Sequence, residues 1–200
     1  RVLSVPCASG EEPYSIAMAL VDAGVPASRW RIDAADVSAR AIAQALAARY
    51  GRNSFRGSDL GYRDRHFEPV AAGFVVRADV RGPVRFRQGN LLAGDFPFAA
   101  ERYDAIFCRN LLIYFDRPTQ DRAIQVLRSL LAPQGVLFVG SSETGLLLDH
   151  GWAPVRPRAF AFRMRPAAQT VSGRPRAGTT PAPLRPKPKP AVKAASQERG

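Results

Sequence analysis

Short apolar runs alternate along the chain with stretches whose apolar residues recur at helical spacing, a pattern that predicts an α/β fold on a largely parallel sheet. Val2 to Pro6 reads as a buried strand, followed by a helix over Pro13 to Ala23 that proline opens, with Ile16, Ala17 and Leu20 on one face. A second strand is expected over Arg31 to Ala35, and Ser38 is placed to cap a helix running through Tyr50. Val84 to Arg87 and Asp104 to Cys108 supply the third and fourth strands. Thr119 to Leu131 is a helix stopped by Pro133 and Gly135, ahead of strands over Val136 to Val139 and Ala159 to Met164.

Between Tyr50 and Val84 the pattern breaks into glycines and arginines, with a hairpin expected around Phe74 to Val80. That stretch is longer than an ordinary connection in an α/β unit, so residues 51–83 are expected to form a small β-subdomain inserted in a domain spanning 1–165. After Arg165 the composition shifts to Pro, Ala, Lys and Arg, with Pro-Lys-Pro-Lys-Pro at 186–190. Residues 166–200 are therefore expected to be a disordered linker or tail, leading to a further domain or partner. At its other end the chain runs from Arg1 straight into Val2 to Val5, which predicts further sequence upstream.

Composition changes this picture little. A net charge of +12 first suggests nucleic acid or an acidic surface. Half of it lies in the tail, where seven basic residues, including every lysine, face Glu198 alone. The rest is a mildly basic domain without a basic stripe, so no nucleic-acid partner is expected. No apolar run approaches the length of a membrane span and no signal peptide is visible, so membrane insertion is not expected either. Cys7 and Cys108 are too few and too far apart for a disulfide framework or a CxxC metal site, which fits the cytoplasm. His66 and His150 have no neighbouring ligand set, so no metal is expected.

In an open α/β sheet the ligand sits beyond the carboxyl ends of the strands, which directs attention to the turn CASGEEPYS at 7–15. It lacks the GxGxxG of a dinucleotide site. Gly10 lets backbone come close to a ligand, whereas Glu11 and Glu12 at a helix N-terminus would repel the pyrophosphate that normally binds there. They suit a phosphate-free cation, and S-adenosylmethionine, with its ammonium and sulfonium, is one. A plainer role, complementing the helix dipole, is equally open to both glutamates. Asp36, ending the second strand, can accept from both hydroxyls of a ribose, whereas Asp33 lies inside that strand. Asn90, after the third strand, offers a donor and an acceptor to an adenine edge, or closes an Asx turn.

The fourth strand leads into YDAIFCRNLLIYF at 103–115. Together with CASGEEPYS, Asp36, Asn90-Leu91-Leu92 and GSSE at 140–143, this run resembles the CheR-type chemotaxis receptor methyltransferases over residues 2 to 164. The resemblance implies a Rossmann-like class I methyltransferase sheet of seven strands with helices on both faces, its last strand pair antiparallel. It also implies an inserted antiparallel β-subdomain that docks on a chemoreceptor, and S-adenosylmethionine as methyl donor. By motif, Glu12 and Asp36 would hold the donor, Asn90 and Leu91 its adenine, and Arg109 and Asn110 would line the cleft. Arg109 and Tyr114 are similar to the residues that border the reacting centre. Two departures stand out: Ala8-Ser9 replaces the usual Ser-Thr, and the family's N-terminal helical domain, which supplies a further arginine, is not in this sequence. Some family members continue into helical repeats after a linker.

The acceptor implied is a glutamate, ionised at neutral pH with an ordinary pKa of about 4.3, so transfer needs no general base. Arg109 is suited to orient that carboxylate and Tyr114 to donate a hydrogen bond to it. Other readings are a methyltransferase with another acceptor, a signalling module that binds donor or receptor without turnover, and an NAD-dependent oxidoreductase. The two glutamates argue against the last.

Overall fold

The computed structural model describes residues 1–57, 60–156 and 158–165; the tail expected at 166–200 lies outside the described residues. The chain opens with β1 (Val2–Ser4) and passes through the turn at 7–10 into α1 (Glu11–Asp22). This helix starts two residues before the proline expected to open it: Gly10 caps it at φ 93°, and Pro13 sits in the first turn, where its missing N–H costs no helical bond.

Next come β2 (Ile32–Asp36) and α2 (Ala39–Ala47), the latter capped by Ser38, whose hydroxyl accepts from Ala41 N–H. The helix expected to reach Tyr50 stops at Ala47. Ala48 turns left-handed at φ 50°, and Arg49–Tyr50 form β3, because Tyr50 pairs with Phe74 and donates its hydroxyl to Ser9 O at 2.8 Å.

The small subdomain continues with α3 (Gly61–His66), β4 (Phe67–Val70), β5 (Gly73–Val76) and α4 (Ala78–Arg81). Its three-stranded antiparallel sheet runs β3-β5-β4. The hairpin expected around Phe74 to Val80 therefore lies earlier, turning at Ala71 and Ala72, while Val80 is buried on α4. Gly73 fixes that position: it sits at φ 127°, and a Cβ there would stand 2.4 Å from the Tyr50 carbonyl oxygen.

The main sheet resumes with β6 (Val84–Gln88) and β7 (Tyr103–Cys108), then α5 (Arg117–Leu130), which Asp116 caps by accepting from Thr119 N–H. β8 (Leu131–Val139) begins at the next residue, so Pro133 and Gly135 lie within a strand rather than stopping a helix. The β7–β8 register shifts between Tyr103 and Ala105, the kind of irregularity that tolerates proline. α6 (Thr144–Asp149) and β9 (Trp152–Pro154) precede β10 (Ala161–Met164).

Strand order is β6-β2-β1-β7-β8-β10-β9. The first five are parallel, and β10 runs antiparallel to both of its neighbours. Helices cover both faces. On one, Ala123, Ile124, Leu127 and Leu130 of α5 and Leu147 of α6 pack on Leu3, Ile106, Leu137 and Phe162. On the other, Tyr14, Ala17 and Met18 of α1 meet Ile32 and the aromatic residues of the small subdomain. This is a Rossmann-like sheet with helices on both faces and an antiparallel last strand pair, as expected. Among the described residues no helix is long and apolar enough to cross a membrane.

Candidate active site

The parallel strands deliver their following loops to one edge of the sheet, and the residues singled out from the sequence gather there in two neighbouring groups. The first surrounds Asp36. Its carboxylate is 8% exposed and bridges two turns: Oδ2 accepts from Ala8 N–H and Oδ1 from Ser38 N–H, each at 2.9 Å. Ala8 is left-handed at φ 45°, and this bond helps to hold it there.

Beside Asp36 opens a cavity of about 230 Å³, walled by Val5, Pro6, Val37, Leu91, Leu92, Leu111 and Phe115, with Asn90 at its rim. Leu91 is buried in this wall. Asn90 closes the Asx turn, its Oδ1 accepting from Leu92 N–H at 2.9 Å, so the turn does not use its Nδ2 donors, and the residue lines the cavity. An apolar slot with a carboxylate and an amide at its margin is the chemistry an adenosine needs.

The second group follows β1 and β7. Glu12 Oε1 accepts from Ser4 Oγ at 2.8 Å, and Glu12 Oε2 pairs with Arg109 Nη1 at 3.2 Å. Glu11 is exposed and accepts from Ser9 Oγ. Glu11, Glu12, Ile16, Phe107 and Arg109 line an open trough beside α1. Tyr114, in the turn Leu112–Tyr114, is 79% exposed.

Gly10 has a packing reason as well as its place in the turn. A Cβ there would stand 2.9 Å from Ala45 Cβ and from the Tyr50 hydroxyl, and its φ is 93°. Gly10→Ala is expected to lower stability by about 1–3 kcal/mol through strain and overpacking, read as a lower denaturation midpoint in urea. An unchanged midpoint would mean that α2 yields.

One residue of the site carried no role in the sequence reading. Glu143, the last of GSSE, is 1% exposed and accepts backbone N–H bonds from Asn110, Leu111, Leu112 and Gly140. In the sequence it is marked by its place in GSSE, four residues past the end of an apolar strand, which gives it no stated role. Asn110 itself sits at φ 57°, with its side-chain amide beside Gly140.

Neither thiol is suited to nucleophilic work: burial, then the Asp36 carboxylate, pushes Cys7 up to about 12, and burial, then Glu143, pushes Cys108 higher still. Among the described residues no group of three His, Cys, Asp or Glu is arranged to hold a metal. His66 faces Asp22, and His150 faces Asp121 and the Leu146 carbonyl.

Known proteins are similar to this chain in sequence. A protein of Pseudomonas aeruginosa named as a probable biofilm formation methyltransferase, WspC, is 50% identical over 96% of this chain and 48% of its own length. The Pseudomonas putida protein of the same name is 46% identical over 94% of this chain and 46% of its own. The chemotaxis protein methyltransferase of Escherichia coli is 36% identical over 72% of this chain and 51% of its own. The chain thus spans about half the length of these curated relatives. Residues 1–151 match the family described as CheR methyltransferase, SAM binding domain, and with that span, the seven-stranded sheet and the clustered carboxylates, the chain belongs to the CheR methyltransferase family and binds S-adenosylmethionine.

Proposed function

We propose that this chain transfers the methyl group of S-adenosylmethionine to glutamate side chains of a chemoreceptor-type signalling protein, forming methyl esters. The observation that carries this reading is the Glu12–Arg109 pair at 3.2 Å. It sets a carboxylate suited to the donor's ammonium beside a guanidinium suited to an acceptor carboxylate, so that the two substrates would meet at one point of the sheet edge.

The residues present fit the donor. Asp36 has one free lone pair on each oxygen to accept from the ribose hydroxyls after serving Ala8 and Ser38. Leu91 and Phe115 offer an apolar slot for adenine, with Asn90 Nδ2 reading its edge. Glu12 balances the ammonium, Glu11 adds negative field at the mouth, Gly10 keeps the turn close, and Asn110 lines the cleft beside Gly140. When bound, the donor supplies an electrophilic methyl carbon on a cationic sulfur.

The protein's own part is then positioning and dehydration. Arg109 orients the acceptor carboxylate with its planar fork, and Tyr114 donates a hydrogen bond to it. No proton need be removed, because the acceptor is already ionised at neutral pH. Residues 1–165 serve as the methyltransferase domain, the insert at 51–83 together with β3 as the receptor-docking element, in the cytoplasm, with a partner or further domain following 166–200. The names of the two Pseudomonas relatives suggest a receptor from a pathway governing biofilm formation.

Calorimetric titration with S-adenosylmethionine, its demethylated product and NAD tests the donor half, and transfer of a labelled methyl group to a chemoreceptor, released as methanol by mild base, tests the acceptor half. Donor and product are expected to bind while NAD does not. Base-stable label on the receptor would overturn the ester assignment.

A further inference from the structure

The turn that carries Arg109 and Tyr114 is not held by packing of those two side chains, which are 53% and 79% exposed. It is held from the inside by Glu143. Oε1 accepts from Leu111 N–H at 2.9 Å and Leu112 N–H at 2.8 Å, and Oε2 from Asn110 N–H at 3.0 Å and Gly140 N–H at 2.6 Å. Asn110 is left-handed at φ 57°, and Leu111 follows in the right-handed region at φ −113°, ψ −49°. That alternation turns successive N–H groups toward one spot, making a nest for an anion. Here the protein's own carboxylate fills it.

We propose that Glu143 is a positioning residue for methyl transfer: it fixes the backbone from Asn110 to Leu112 and so the placement of Arg109 and Tyr114 toward the acceptor. The three N–H donors are consecutive, so the carboxylate fixes a local conformation, left-handed at Asn110, that asparagine tolerates better than other side chains but does not adopt by default. Arg109 directly precedes the first of them. Tyr114 is joined to the nest through its N–H, which donates to Leu111 O at 3.1 Å. Gly140 clears the space the carboxylate needs, since a Cβ there would stand 2.9 Å from Glu143 Oε2 and 3.2 Å from Asn110 Nδ2. The inference rests on the reading that this turn faces the acceptor.

Glu143→Gln keeps the side chain's shape but turns an amino group toward some of the four N–H donors. In this chain it is expected to lower kcat for receptor methylation by about 10-fold while the donor Kd stays within about 3-fold. Amide exchange should quicken at Asn110, Leu111, Leu112 and Gly140 and stay unchanged in β1 and β2. Gly140→Ala, which keeps the carboxylate but displaces it, is expected to lower kcat by about 3-fold, and it carries the test should Glu143→Gln not fold. An unchanged kcat per folded molecule in the variants that fold overturns the inference and leaves Glu143 a structural anchor. A parent that binds donor yet methylates no receptor defeats the proposed acceptor instead. The Arg109 Nε–H resonance then decides: displacement in either variant supports the positioning role, and an unmoved resonance overturns it.

Discussion

Arg109→Ala is expected to cost methyl transfer about 100-fold or more while leaving the donor Kd within about 3-fold of the parent. The split follows from where the side chain sits. Arg109 reaches out of the turn after β7, half exposed, pairs with Glu12 and lines the trough. Removing it takes away the planar fork that would hold an acceptor carboxylate, so the loss falls on positioning in the transition state. Glu12 keeps its bond from Ser4 Oγ at 2.8 Å and stays in place for the donor's ammonium. With one nearby cation gone, attraction between Glu12 and that ammonium is unchanged or stronger. Arg109→Lys separates charge from shape: an ammonium keeps the charge but not the two-pronged geometry, so only partial recovery is expected. Intact transfer by Arg109→Ala would reduce the residue to a partner of Glu12. A collapse of donor affinity would place it on the donor side of the cleft.

The sheet was legible because buried parallel strands write short apolar runs, and five of the main strands lie within two residues of where those runs predict them. The errors cluster where tertiary contacts override local preference. Ala48 and Tyr50 read as the end of a good helix, but Tyr50 is drawn into the small sheet by Phe74 and by the Ser9 carbonyl. Pro133 and Gly135 are strong local stops, yet they sit in β8 at a register shift that no local pattern announces. In the site, the place of Asp36 at the carboxyl edge of the sheet was legible from its position at the end of an apolar strand, whereas Leu91 came only with the family resemblance. Glu143 was not legible, because its four partners are backbone groups, three of them some thirty residues away, and a nest has no side-chain signature. Gly10 was legible as a glycine that mattered, but its contact with Ala45 of α2 is visible only once the two helices are packed.

Asp36→Ala is expected to weaken donor binding by about 100-fold, the order of two hydrogen bonds to a charged group. The same substitution orphans the Ala8 and Ser38 N–H groups, so a loss of affinity alone leaves two causes: a missing ribose contact or a displaced donor turn. Donor analogues distinguish them. If the carboxylate accepts from the ribose hydroxyls, the parent should prefer the demethylated product over its 2′-deoxy and 3′-deoxy analogues by about 10-fold each, and Asp36→Ala should lose that preference because the group that senses the hydroxyl is gone. If instead the variant binds all three ligands more weakly by one common factor, the discrimination persists, and Asp36 acts through Ala8. Asp36→Asn sharpens the comparison, since its one carbonyl oxygen can satisfy one of the two backbone donors but not both. Unchanged affinity in Asp36→Ala would place the ribose away from the ends of β1 and β2 altogether, and the apolar slot walled by Leu91 and Phe115 would lose its reason to hold an adenine.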